Sequence, residues 1–270
     1  MRRALPLFVI VALSSAHATL ILQIPTADGM LVASDTRSVG EGNCDMRQKL
    51  MPLETRPPAI ASATGWTITI DQRSVAGGGN FCDAIESGDR DYDLQAVVEK
   101  YFGDQPLDRE LWYSLPGKLI DSLYIFKMQH QGAANDLFQP SADLYTVVMA
   151  FWGASGLVSA NTTIGVTRTR NPYLKRSQWR EYTLTEVLQV EAYGDVAAYQ
   201  KAISEGPLAA ELRLIQSKRI NTVRTGEAWG FARRAIEAAA TDSRRQVIGG
   251  HVEAYMVGPR SLRQLMEKRP

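Results

Sequence analysis

In Ser15-Ala16-His17-Ala18-Thr19-Leu20-Ile21-Leu22 small residues that suit a processing site give way to a threonine and an aliphatic run. Arg2-Arg3 opens the chain, an apolar run extends from Ala4 to Leu13, and small residues Ala16 and Ala18 stand where a signal peptidase reads them. The run is too short to span a bilayer. Residues 1–18 therefore read as a cleaved export signal and 19–270 as one domain, with Thr19 as the new N-terminus. No charge lies between Arg3 and Asp28, so an uncleaved anchor over residues 1–24 is the alternative. With the signal removed, the expectation is a soluble periplasmic or secreted protein that no longer contacts a membrane.

Outward from the cut, Thr19 to Ile24 is rich in β-branched and aliphatic residues and reads as a strand. Pro25 to Gly29 breaks it, and Met30 to Asp35 reads as its hairpin partner. Val39 to Asp45 reads as a Gly-rich loop and Met46 to Leu53 as extended chain. Further strands are expected at Ala59 to Thr64 and Trp66 to Ile70. The Gly77-Gly78-Gly79-Asn80 run has no GK[ST] after it and is no phosphate loop. Helical spacing begins at Asp93, with Asp91 or Asp93 as cap, and a longer helix spans Asp108 to Gln131, kinked or split at Pro116-Gly117. Its Trp112, Tyr113, Tyr124 and Phe126 are expected in packing. Strands then return at Leu144 to Trp152, Val158 to Arg168 and Tyr182 to Val190. Helices follow at Val196 to Ser204, Leu208 to Lys218 and Gly226 to Thr241, and His251 to Val257 alternates as a closing strand. This order predicts an α+β fold of stacked layers, most simply αββα.

The chain has 270 residues and a formal charge of +1. Losing Arg2 and Arg3 takes the 30 basic residues to 28 against 29 acidic ones, a net of −1. That balance argues against a nucleic-acid partner. Arg168, Arg170, Lys175, Arg176 and Arg180 cluster, as do Arg244 and Arg245, and read as solvated loop or subunit contact. Cys44 and Cys82 lie in loop-like sequence, where a disulfide and two free thiols are both open readings. Neither has CxxC spacing or a nearby histidine, so no metal or cofactor is expected.

A hydroxyl needs a base to take its proton, and a chain-terminal threonine carries one as its own α-amine, with a pKa of about 7.7 to 8.0. A lysine nearby biases both groups, and a carboxylate keeps that lysine charged and oriented. Thr19, Lys49 and Asp35 can fill these roles. The N–H of Gly65, where no Cβ obstructs a reacting carbonyl, is a candidate oxyanion donor.

The residues Thr19-Leu20-Ile21, Asp28-Gly29-Met30-Leu31-Val32-Ala33-Ser34-Asp35-Thr36-Arg37, Arg47-Gln48-Lys49-Leu50 and Ala59-Ile60-Ala61-Ser62-Ala63-Thr64-Gly65 resemble the proteasome β-subunit family. Gly226 to Ile236 and Gly249-Gly250 are similar to its late helix and the loop that follows. The resemblance implies a four-layer αββα sandwich of the N-terminal-nucleophile hydrolase type. It also implies threonine peptidase or amidase chemistry and assembly of copies of the chain into a ring. By the same resemblance, Thr19, Asp35, Lys49 and Gly65 are catalytic, and Arg47, Met51 and Ala63 line the first specificity pocket for a peptide or small amide substrate. Two departures stand out. The family's later serine and aspartate partners have no clear equivalents in Ala192-Tyr193-Gly194-Asp195 or Arg244 to Gly250, where Asp195 and Asp242 are the nearest carboxylates. Ala18, moreover, replaces the glycine after which the family cleaves itself. A non-catalytic ring-forming subunit is the rival reading.

Overall fold

A computed structural model describes residues 19–39, 43–45, 48–70, 82–83, 90–103, 105–242 and 248–265. The export segment, Arg47, the Gly77 to Asn80 run, Arg244 and Arg245 lie outside the described residues.

The opening hairpin is β1 (Leu20–Thr26) and β2 (Gly29–Asp35), antiparallel with Ile21 opposite Ser34 and Thr26 opposite Gly29. Both strands are buried along their whole length. Their near-continuous apolar run, rather than an alternation, reflects cover on both faces. The chain continues through β3 (Ser38–Val39), β4 (Asn43–Cys44), β5 (Met51–Leu53), β6 (Ala59–Gly65), β7 (Ile68–Ile70) and β8 (Arg90–Asp93). Three helices follow, α1 (Leu94–Phe102), α2 (Arg109–Gln129) and α3 (Gln131–Leu137). Then come β9 (Asp143–Gly153), β10 (Gly156–Val166), β11 (Pro172–Tyr182) and β12 (Glu191–Gly194). Helices α4 (Val196–Ser204), α5 (Gly206–Gln216) and α6 (Thr225–Asp242) precede β13 (Val252–Val257) and β14 (Leu262–Leu265).

Two five-stranded antiparallel sheets form the inner layers, in the orders β12-β1-β2-β13-β14 and β11-β10-β9-β6-β5. They pack face to face through β1, β2, β12 and β13 against β6, β9 and β10. Helix α6 covers β1, β2 and β13, burying Ala228, Phe231, Ala232, Ala235, Ile236 and Ala239. Helix α2 covers β10 and β11, and α1 packs on α2 and β5. The fold is therefore α+β, two stacked antiparallel sheets between helical layers.

Several elements differ from the sequence reading. The third strand of the central run is Pro172–Tyr182, not Tyr182 to Val190. Its Lys175, Arg176 and Arg180 make it read as loop, but an edge strand tolerates and even favours charge. Helix α2 runs unbroken through the buried Pro116, and α3 continues beyond it after His130. Trp112 and Phe126 are buried as expected, whereas Tyr113 and Tyr124 are about two-fifths exposed. Ser38–Val39 pairs with Asn43–Cys44 where the sequence reads as loop, and β14 extends the first sheet where no strand was expected. Asp93 caps α1, accepting from Gln95 N and Ala96 N. Cys44 and Cys82 are joined in a disulfide with Cα atoms 5.3 Å apart. Closing that 38-residue loop is worth about 3 to 4 kcal/mol in the chain-entropy account.

Gly194 closes β12 onto the first residue of the domain. Its φ is +96°, and a Cβ there would lie 1.8 Å from the Thr19 carbonyl oxygen. No L side chain fits without moving the backbone. Gly194→Ala is expected to lower the unfolding free energy by about 2 kcal/mol or more. An unchanged urea midpoint would show that β12 does not seat on Thr19 as described.

Candidate functional site

The site is built where β1 begins, β2 ends and the loop before β5 crosses both sheets. The β1–β2 register sets the last residue of β2, Asp35, beside the backbone of Leu20. Asp35 Oδ1 accepts from Leu20 N at 2.9 Å. Its Oδ2 lies 3.1 Å from Lys49 Nζ and accepts from the amides of Arg37 and Gly249, each at 3.3 Å. Asp35 has no exposed surface, and Thr19 and Lys49 are 5% and 8% exposed. Burial pushes the Asp35 carboxyl above its ordinary value, and Lys49 and the amides of Leu20 and Gly249 oppose that push. The ammonium and the converging N–H groups are what let an anion sit here.

Lys49 is held by its main chain from both sheets. Ser62 Oγ, on β6, donates to Lys49 O at 3.0 Å. Glu253 Oε1, on β13, accepts from Lys49 N at 2.6 Å and from Leu50 N at 2.8 Å. Glu253 is only 7% exposed, and burial pushes its carboxyl up to about 7, against the two amides and Lys49, which lower it. A second tier lies beside this one. Arg37 Nε pairs with Asp45 Oδ1 at 2.6 Å and holds that carboxyl below its usual range, while Thr36 Oγ1 donates to Asp45 O and accepts from His251 N.

Thr19 enters through its carbonyl, which accepts from Asp195 N at 3.0 Å. The Asp195 carboxylate itself caps α4 by accepting from Ala198 N. Gly65 ends β6 with φ +93°, where a Cβ would strike Leu144 O at 2.4 Å. Trp66 N donates to Leu144 O at 2.8 Å, so antiparallel alternation turns the Gly65 N–H off the opposite edge of β6, past the end of β5. Thr64 faces the first sheet, its Cγ2 being 3.1 Å from where a Gly194 Cβ would stand. Met51 lies opposite Ala61, so Met51 and Ala63 share the other face of that sheet, and both are buried. Arg47 lies outside the described residues.

The structure thus brings Asp35 and Lys49 into one ion pair beside the start of β1. Sequence reasoning missed Glu253, Ser62 and the Gly249 amide. The available signal for Glu253 was a carboxylate inside an apolar strand, Val252-Glu253-Ala254-Tyr255-Met256-Val257, which must find donors when buried. Among the described residues no group of three or more His, Cys, Asp and Glu side chains is placed to hold a metal ion, and no helix is long and apolar enough to cross a membrane.

The fold and this geometry place the chain in the α+β class of stacked antiparallel sheets between helices. No family model and no curated protein matches the sequence. Among solved structures it is similar to an Anbu (Gly-1) mutant from Hyphomicrobium sp. strain MC1, with 12% identity and a TM-score of 0.46 over 92% of this chain and 86% of that one.

Two outcomes follow for the buried charges. Asp35→Asn leaves the Lys49 ammonium without its anion and is expected to cost about 3 kcal/mol of stability. A loss under about 1 kcal/mol in chemical denaturation would contradict the burial described. The Glu253 carboxyl is raised from an unfolded value near 4.5 to about 7, so its contribution is full below about 4.5 and is lost as pH rises through about 7. The stability difference between wild type and Glu253→Gln should therefore shift against wild type by about 3 kcal/mol across that window. Parallel stability–pH curves for the two proteins would overturn the assignment.

Proposed function

We propose that the exported, processed protein is an N-terminal-nucleophile amidohydrolase of the threonine type, acting on peptides or small amides. The observation that carries this reading is the Asp35 carboxylate bonded at once to Leu20 N and to Lys49 Nζ. A scaffold gains little from enclosing an ion pair beside the first residue of a strand, because burying such a pair is at best weakly stabilising. A nucleophile at that residue gains an oriented positive charge.

In the unprocessed chain the Thr19 nitrogen is an amide and has no basic lone pair. Cleavage after Ala18 converts it to an amine. The neutral amine takes the Thr19 hydroxyl proton as Oγ attacks the substrate carbonyl, and the positive charge of Lys49 favours the alkoxide. The Gly65 N–H stabilises the oxyanion. The proton passes to the leaving amine, the C–N bond breaks, and an ester remains on Thr19. Water, deprotonated by the same α-amine, then releases the acid and regenerates the enzyme. Asp35 keeps Lys49 charged and does not itself exchange a proton with substrate. No cofactor enters these steps. The Cys44–Cys82 bridge supports export, since such bonds persist in oxidising compartments.

N-terminal sequencing of processed protein should begin at Thr19, and an epoxyketone or β-lactone should add to it once per chain. Thr19→Ala should abolish both the adduct and amide hydrolysis, and Lys49→Met should lower kcat by at least about a hundredfold. A protein with a verified Thr19 terminus that takes no label would defeat the proposal.

A further inference from the structure

The edge of the sandwich at β11 and β12 is open, and a cleft of about 740 Å³ runs in between the two sheets and around β11, where Ser177 and Trp179, with Tyr113 of α2, line its outer part. That size suits a drug-sized ligand. Its floor is the inward face of the second sheet, normally the most apolar surface of such a fold. Here the part of that face that lines the cleft is polar. Thr64 pairs with Thr146, Thr146 with Thr163, and Thr163 with Arg176, a single cross-strand row over four strands. The Thr146 and Thr163 hydroxyls lie 2.9 Å apart. Asn161 opposite Gln178 and Ser159 opposite Arg180 make two further polar pairs alongside it.

The row begins at the candidate site. Thr64 precedes Gly65 and meets Gly194, and Gly194 packs on the Thr19 carbonyl and also lines the cleft. Three strand spacings separate Thr64 from Arg176, about 14 Å, or the length of roughly four extended residues.

The charges in the cleft are unequal. Glu191, on the roof, is fully met: it accepts from Ser159 Oγ at 2.7 Å, Tyr193 OH at 2.6 Å and Tyr182 OH, with Arg180 Nη1 at 3.4 Å. Ser159 Oγ is also 2.6 Å from Gln23 Oε1, and the Nε2 of this buried amide has no partner. A serine hydroxyl has one proton to give. With the Gln23 amide turned over, Nε2 donates to Ser159 and Ser159 donates its single proton to Glu191. Arg176 differs. It donates to the neutral Gln178 and faces no carboxylate among the described residues. The cleft therefore holds one positive charge that the protein does not neutralise.

We propose that the cleft receives the C-terminal part of a short peptide, with the free terminal carboxylate on Arg176 about four residues from Thr19. This names the substrate class of the hydrolase site and rests on that reading for catalysis, though not for binding. Hydroxyls and amides along the floor offer donors and acceptors to successive peptide groups without selecting side chains.

Calorimetric titration of processed Thr19→Ala protein, which cannot turn peptide over, tests it with one Gly/Ala/Ser pentapeptide in three forms: the free acid, the C-terminal amide, and the amide ending in Asp. The acid should bind about tenfold or more tighter than either amide. Arg176→Gln should remove that preference, and Arg168→Gln, an exposed residue outside the cleft, should retain it. Arg176 is itself exposed, so its variant should melt at the wild-type temperature. Equal binding of acid and amide, or a preference that survives Arg176→Gln, overturns the proposal. An Asp-ending amide that matches the acid overturns the terminal carboxylate as the group recognised. Thr19 labelling is scored separately on protein with the native threonine. Labelling without a carboxylate preference sinks the cleft and spares the hydrolase, and the reverse result sinks the hydrolase and spares the cleft.

Discussion

A carboxylate with no exposed surface organises this molecule. Asp35 can remain an anion there only if positive charge and hydrogen-bond donors replace the water it has lost, and beside the neighbouring Arg37 N three groups from separate parts of the chain do so: Leu20 N, Gly249 N and Lys49 Nζ. Each brings its own element into place. Leu20 fixes the start of β1, Gly249 the approach to β13, and Lys49 the loop that joins the two sheets. Lys49 is then secured a second time, through its main chain, by Ser62 and Glu253. The orientation of one ammonium thus depends on strands from both sheets, and shifting either sheet disturbs it.

Much of the fold could be read from local pattern. The opening hairpin, Asp93 as a helix cap, the two long central strands and the late helix follow from periodicity and breakers, and the structure has them with small changes of boundary. Segments where tertiary context outweighs composition were misread. Pro172–Tyr182 carries Lys175, Arg176 and Arg180 and looks like loop, yet it pairs along β10 over its whole length. Pro116 should interrupt a helix, yet it is buried within one. The candidate site divides in the same way. Asp35 and Lys49 stand near in sequence and carry strong chemical cues. Glu253 lies 204 residues from Lys49, and only the β2–β13 pairing brings it within reach.

The interior of the sandwich is apolar on one side and polar on the other. Toward β13, Met30, Val32, Tyr255 and Val257 share the face of the first sheet that looks at the second sheet, and all four are buried. Toward β12, Gln23, Ser159 and Glu191 form a hydrogen-bonded group that Asn161 joins through the Tyr193 hydroxyl. Networks of this kind are costly when incomplete, because an unpaired polar group in a dry interior has no water to fall back on. The tyrosines around Glu191 stay neutral because burial and its negative charge both push their hydroxyls upward.

The disposition of Gly249 and Glu253 bears on the order in which a ribosome makes this protein. A nascent chain that has just produced the first hairpin already contains Asp35 and soon Lys49, but not the amide or the carboxylate that anchor them, which are translated about two hundred residues later. Until then the pair has no dry housing, and water competes for both charges. An unfinished or truncated copy would carry every residue of the early motif and still lack the late-made groups that enclose it and hold it in place.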